Sequence, residues 1–227
     1  MNKNEKVFIG YATSGTVYHG FMQTIVNIVG KRSEKIGGMI SIIGPYLTTN
    51  RNDVVEEFLK SPHDWLLSFD TDIETNLEDF DKLIDAADSF KTPVLAGKYF
   101  ISINGSIKIC AKVDAGLGME DGGDWLEEYP DNQIIPIWAT GMGFVLIHRK
   151  VLEGIAKNNP EKKYPWFYNG YIDERKSNIG EDIFFYEQVR KAGFSIHLHT
   201  GVSASHLGKL AITEKTYIES NDMVWRQ

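Results

Sequence analysis

Cysteine is nearly absent from these 227 residues: only Cys110 is present. One thiol excludes an intramolecular disulfide framework and fits a reducing cytoplasm. Cys110 lies in the run 107–113, where it reads as a buried strand side chain before it reads as a nucleophile. Long apolar runs are also missing. No stretch approaches the roughly 20 residues of a membrane-spanning helix, and residues 1–6 lead into a strand without the apolar core of a signal peptide. The expectation is a soluble, cytoplasmic protein without a membrane anchor. Positive charge is in short supply too: 24 Lys and Arg stand against 31 Asp and Glu, a net charge of −7. That balance argues against a surface built for the nucleic-acid backbone, though a local basic groove is compatible with it. No repeat and no low-complexity linker interrupts the chain. With 42% hydrophobic residues, a substantial core in one domain spanning 1–227 is expected.

The first hundred residues alternate strand and helix. Residues 7–11 read as a buried strand and 12–16 as a small-residue loop. Tyr18, Phe21, Met22, Ile25, Ile28 and Val29 then recur at helical spacing. A second strand follows at 38–43. A helix at 52–61 carries Val54, Val55, Phe58 and Leu59 on one face, and Pro62 closes it. The third strand, from Trp65, runs apolar to Phe69. Thr75 with Glu78 reads as a capping box for a helix burying Leu77, Phe80, Ile84 and Ala87, and 93–96 is a fourth strand. This order implies an α/β fold with a mainly parallel sheet and right-handed crossovers.

Beyond Gly97 the pattern loosens. Residues 107–113 suggest a hairpin, and 114–131 a glycine- and acid-rich loop that is better explained as solvated than as a metal site. A buried strand at 142–147 and a helix at 149–157 follow. Residues 158–179 form a long loop dense in aromatics: Tyr164, Trp166, Phe167, Tyr168 and Tyr171. Two roles fit it, stacking on sugar rings or a base, or a tethered loop with buried rings. A helix at 183–192 stops at Gly193, and 194–199 is the last strand.

Three places bring polar groups to strand ends or helix starts. The apolar third strand ends in Asp70, Thr71 and Asp72. In an extended backbone residues i and i+2 point the same way, so these carboxylates would converge on one cation. Hard oxygen donors at a sheet edge suit Mg²⁺ or Mn²⁺, ions that usually work on phosphates. A calcium loop does not fit, since its sixth position is Thr75 and its twelfth Asp81. Gly180, Glu181 and Asp182 open a helix, either as an ordinary acidic N-terminus or as a carboxylate general base. His206 follows the last strand, either as a satisfied structural histidine or as a third metal ligand.

Taken together and in this order, these residues resemble the glycosyltransferases of the GT-A fold, and the resemblance covers most of the chain. It implies a Rossmann-like mixed sheet flanked by helices, with a nucleotide-binding half at 1–100 and an acceptor and sugar half at 101–227. Asp70 and Asp72, with His206, would hold Mn²⁺ or Mg²⁺ on the donor diphosphate. Thr13, Arg51, Asp70, Thr71 and Gly141 would contact the nucleotide sugar. The stretch 136–144 followed by Arg149 is similar to the sugar-pocket segment of polypeptide GalNAc-transferase-like enzymes. Glu181 or Asp182 would act as base or acceptor contact. The implied activity moves a sugar from a nucleotide-sugar donor, UDP-linked by preference, to a hydroxyl on a saccharide, a protein or a modified nucleotide or nucleic acid. Two other readings compete. One is a phosphatase with an Asp-x-Asp nucleophile, although Glu74 stands where that family carries Thr or Val. The other is a nucleotide-sugar-binding protein without catalysis.

Overall fold

The computed structural model describes residues 5–114, 123–172, 176–208, 213–214 and 217–218. Its first half builds β1 (Val7–Thr13), α1 (His19–Lys31), β2 (Ile36–Ile43), α2 (Leu47–Lys60), β3 (Trp65–Phe69), the short β4 (Ile73–Glu74), α3 (Leu77–Asp85) and β5 (Val94–Lys98). A run of short strands follows: β6 (Phe100–Ile103), β7 (Ser106–Ile109), β8 (Ala111–Val113), β9 (Asp124–Trp125), β10 (Ile134–Pro136) and β11 (Ala139–Thr140). The chain ends on β12 (Phe144–His148), α4 (Arg149–Asn158), β13 (Gly170–Ile172), β14 (Ser177–Ile179), α5 (Glu181–Lys191), β15 (His197–Ser203) and β16 (Ser205–His206).

Seven strands form the central sheet in the order β10-β15-β5-β12-β3-β1-β2. β2, β1 and β3 are mutually parallel, as are β5 and β15. β12 runs antiparallel to both β3 and β5, and β10 lies antiparallel on the β15 edge. Five strands therefore point one way, and β12 runs against them at the centre. Its position follows from composition: Phe144, Val145, Leu146 and Ile147 are all fully buried, as a strand covered on both faces requires. Alternation divides them, with Phe144 and Leu146 facing the α1 and α3 side and Val145 and Ile147 the α2, α4 and α5 side. Because β12 and β15 sit among strands of the first hundred residues, the two sequence halves share one sheet.

Local chemistry shifts several expected boundaries. α1 turns Phe21, Ile25 and Ile28 to the sheet, leaving Met22 and Val29 partly exposed because they lie about 100° off that line. α2 starts five residues earlier than the pattern predicts, at Leu47, which takes Arg51 into the helix. The cap of α3 is Asn76, whose side chain accepts from the Asp79 N–H at 2.9 Å; Thr75 instead donates to the Ser203 carbonyl. The hairpin pairs β6 with β7 around Asn104 and Gly105, both at positive φ, so 107–113 is not itself the hairpin. Part of the expected acidic loop, 115–122, lies outside the described residues. The expected long loop at 158–179 contains the β13/β14 pair.

Candidate active site

The site lies at the C-terminal edge of the parallel strands. β1 ends there at Thr13, β3 at Phe69 just before Asp70, and β15 just before His206. The reversed direction of β12 brings its N-terminal lead, Gly141 to Gly143, to the same edge. Asp70 donates its N–H to the Gly143 carbonyl at 3.0 Å, which locks the two segments together.

The chain turns immediately after Asp70, with the Ile73 N–H bonding the Asp70 carbonyl at 3.1 Å. The extended geometry expected for Asp70 and Asp72 is therefore absent, and the two carboxylates take different partners. Asp70 receives Arg51 Nη2 on both oxygens, at 2.8 and 2.9 Å. Arg51 Nη1 reaches Glu181 Oε1 at 2.8 Å, so one guanidinium ties α2, the end of β3 and the start of α5. The Arg51 side chain is only 8% exposed. Burial alone would lower its pKa; Asp70 and then Glu181 more than reverse this and hold it charged. Asp72 Oδ2 meets His206 Nε2 at 3.2 Å, where β16 pairs with β4. The hydrogen bond with Asp72 raises the histidine pKa against the opposing effect of burial.

Asp182 differs from its neighbour. Its Oδ1 accepts from the Ile183 N–H at 2.7 Å, and no salt bridge reaches it among the described residues. Burial, then repulsion from Glu181, pushes its pKa up.

Two adjoining cavities share Arg51, Asp70 and Asp72. One, of 260 Å³, is lined also by Thr13, Ser14, Gly44, Asn50 and Thr71. Asn50 shapes it by donating to the Gly44 carbonyl at 2.8 Å and the Thr13 carbonyl at 3.3 Å. The other, of 250 Å³, adds Tyr99, Cys110, Gly141, Glu181, Asp182 and His206. A side chain on Gly141 would overlap the Tyr99 hydroxyl, so glycine keeps this cavity open. Cys110 sits at the bend between β7 and β8 with its pKa pushed up to about 11, chiefly by burial, and stays a neutral thiol.

Thr13, Arg51, Asp70, Thr71, Asp72, Gly141, Glu181, Asp182 and His206 thus line one pair of cavities, whereas Tyr164, Tyr168 and Tyr171 line another and Arg149 lines neither. Arg149 lies away from them, donating to the carbonyls of Phe58, Leu59, Ser61 and His63 and so capping the C-terminus of α2. Asn50 and Tyr99 were not legible in advance. Asn50 carries no pattern of its own, and Tyr99 offers only its place after a strand end.

Among the described residues no three His, Cys, Asp or Glu side chains form a ready-made metal site. Asp72 and His206 nevertheless offer the oxygen and nitrogen donors that suit Mn²⁺. Asp70 has both oxygens on Arg51. The fit to a divalent ion is therefore one of donor type, with two protein ligands at hand. No helix among the described residues is long and apolar enough to cross a membrane.

No protein-family model and no curated protein matches the sequence. Solved structures match in shape. The crystal structure of A197 from STIV superposes with a TM-score of 0.59 at 17% identity, over 92% of this chain and 91% of that one. GalNAc-T7, crystallised with UDP, GalNAc and Mn²⁺, gives a TM-score of 0.57 at 11% identity over 98% of this chain. The chain spans about half of the GalNAc-T7 structure, 48% of it. At such identities the likeness is one of fold. The fold is GT-A-like, and the likeness defines no particular family.

Proposed function

We propose that this chain is a glycosyltransferase that moves a sugar from a nucleoside-diphosphate sugar, UDP-linked by preference, to a hydroxyl acceptor. The observation that carries the proposal is the gathering of Asp70, Asp72, His206 and Asp182 on one cavity at the C-terminal edge of a GT-A-like sheet. The UDP and Mn²⁺ named with the GalNAc-T7 structure support the choice of donor and ion. In this reading Thr13, Asn50, Arg51 and Thr71 face the nucleotide, and Gly141 faces the sugar. Residues 1–100 supply most of the donor side and 101–227 most of the acceptor side.

The chemistry follows from charge. In the transfer the bond from the sugar's anomeric carbon to the diphosphate oxygen breaks, and a bond to the acceptor oxygen forms. When bound, a divalent cation held by Asp72 and His206 would offset the negative charge left on the diphosphate. Asp182 takes the acceptor's proton. Its raised pKa, and the absence of a salt bridge from Arg51 to it among the described residues, suit a base better than Glu181, which is already paired. Arg51 holds Asp70 and Glu181 at the mouth of the site and keeps three elements in register. Tyr99 and Gly141 set the shape of the pocket.

Thermal stabilisation by nucleotides tests the reading. A ligand at about 100 times its Kd stabilises a fold by roughly 2.7 kcal/mol. UDP with Mn²⁺ is expected to raise the melting temperature more than GDP, CDP or ADP with Mn²⁺, and EDTA to abolish the difference. A larger shift with GDP overturns the base assignment alone. No shift with any nucleotide, together with hydrolysis of phosphate esters, overturns the transferase reading.

A further inference from the structure

A larger cavity, 790 Å³, lies outside the transfer site between α4, the aromatic segment 164–172 and α5. The aromatic segment divides into an anchored half and a presented half. Trp166 and Phe167 are buried at 5% and 4% exposure. The Trp166 indole N–H donates to the Leu152 carbonyl at 2.9 Å, and Phe167 stacks on Phe185 with ring centroids 5.0 Å apart. Asn52 clamps the Phe167 backbone from both sides, accepting its N–H at 3.1 Å and donating to its carbonyl at 2.9 Å. Tyr164 donates to Asp53 at 2.9 Å. Two neighbours of Arg51 on α2 thereby bolt this segment to the helix that orders the transfer site.

Tyr168 and Tyr171 emerge from that anchor 42% and 53% exposed, although Tyr168 also donates to the Tyr171 carbonyl at 3.2 Å. Phe184, its ring 5.6 Å from that of Tyr168, lines the cavity with them. Facing these rings are the amides Asn158, Asn159 and Gln188 and the buried carboxylate Glu187, the last two 5% and 6% exposed. Aromatic faces take the C–H face of a pyranose, and planar amides both donate to and accept from its hydroxyls. The volume falls within the range of ordinary small-ligand clefts, roughly 300–1,000 Å³. A nucleotide would use the same rings, but its phosphates would find only the solvent-exposed Lys162 and Lys191. Phe184 and Gln188 belong to α5, whose first turn carries Glu181 and Asp182.

We infer that this cavity is a saccharide-binding site that holds a remote part of the acceptor glycan, since Phe184, Gln188 and Lys191 lie on the face of α5 turned away from Asp182 and the reacting hydroxyl is therefore not in this cavity. Its role as the acceptor site rests on the transferase reading; the binding of saccharide does not. The test is retention on a printed oligosaccharide array, run beside the UDP and Mn²⁺ melting experiment. The full chain is expected to retain at least one oligosaccharide. Tyr168→Ala and Tyr171→Ala should each weaken that binding about tenfold, near 1.4 kcal/mol. Tyr171→Phe, which keeps the ring, should bind as the unaltered protein does, and all three variants should keep the UDP response. No retention, or retention unchanged in both alanine variants, overturns the saccharide site. Retention without any nucleotide response supports the saccharide site, and if phosphate esters are also hydrolysed the transferase reading is overturned while the saccharide site stands.

Discussion

Asp70 and Asp72 stand two residues apart at the end of one strand and take opposite roles. Asp70 is drawn into a largely buried bridge with Arg51 and Glu181. Asp72 faces His206 across a pair whose side chains keep 38% and 30% exposure. The turn at 70–73 produces the divergence: by leaving the extended conformation it sends one carboxylate to Arg51 and the other to His206. The buried bridge acts as scaffold: one guanidinium holds two carboxylates from different elements, at a net charge of −1. The Asp72–His206 pair is the more exposed of the two, and in the proposed function it is the pair that would take a metal ion.

The largest way to break this contrast is at Arg51. Arg51→Met removes the cation that Asp70 and Glu181 share and leaves both carboxylates uncompensated. Loss of one partner from a buried pair costs about 3–5 kcal/mol. About 3 kcal/mol is expected here, because Asp70 and Glu181 are 27% and 19% exposed. Arg51→Lys should recover part of the loss, since one ammonium cannot present two separated N–H groups. Urea unfolding reads both. A loss below about 1 kcal/mol in Arg51→Met, the level of a surface pair, would show that the bridge is not a scaffold.

Glu181 and Asp182 repeat the contrast on α5. Asp182→Asn should leave UDP binding and stability nearly intact while transfer falls roughly 10²-fold or more, as for a lost general base. Glu181→Gln should instead lower stability by weakening the Arg51 bridge, with a smaller change in turnover per folded molecule. Turnover measured beside unfolding midpoints separates the two. If Glu181→Gln alone loses turnover, the roles are exchanged.

Much of this was legible because the strongest signals are local. The apolar run ending at Asp70 reads as a buried strand, and β1 and β5 follow the same logic. Arg51, Asp70, Asp72, Glu181, Asp182 and His206 were chosen as chemistry-bearing residues at strand ends and helix starts, and those ends share one sheet edge. What escaped prediction depends on contacts across the chain. The insertion of β12 between β3 and β5 is long-range pairing, and no local pattern states it. Whether Asp70 meets a metal or Arg51 depends on a helix beginning at Leu47, five residues before the apolar pattern does. Arg149 has the composition of a site residue but caps a helix 88 residues earlier in the chain at Ser61. In the aromatic segment the buried rings Trp166 and Phe167 meet the expectation of a tethered loop, and stacking on a sugar is what is proposed for the exposed Tyr168 and Tyr171.

The smallest effect, and the most direct probe of the open pair, is the pH dependence of stability. The folded-state pKa of His206 lies above its ordinary value near 6.5. Folding therefore favours the protonated imidazole, and its contribution is fully present below pH about 6.5. It is lost as the pH rises through the raised folded pKa. An incompletely buried pair of this kind contributes below about 1 kcal/mol. His148, His197 and His199, whose pKa values burial lowers, act in the opposite sense near pH 6, so the expectation is for the difference: in EDTA the excess urea midpoint of the unaltered protein over Asp72→Asn should shrink from about pH 6 to about pH 8.5. Asp72→Asn should meanwhile leave stability at pH about 8.5 nearly unchanged, unlike Arg51→Met, which is expected to destabilise at every pH in this window. A difference that stays constant across this range would show that the Asp72–His206 contact does not set the titration of His206.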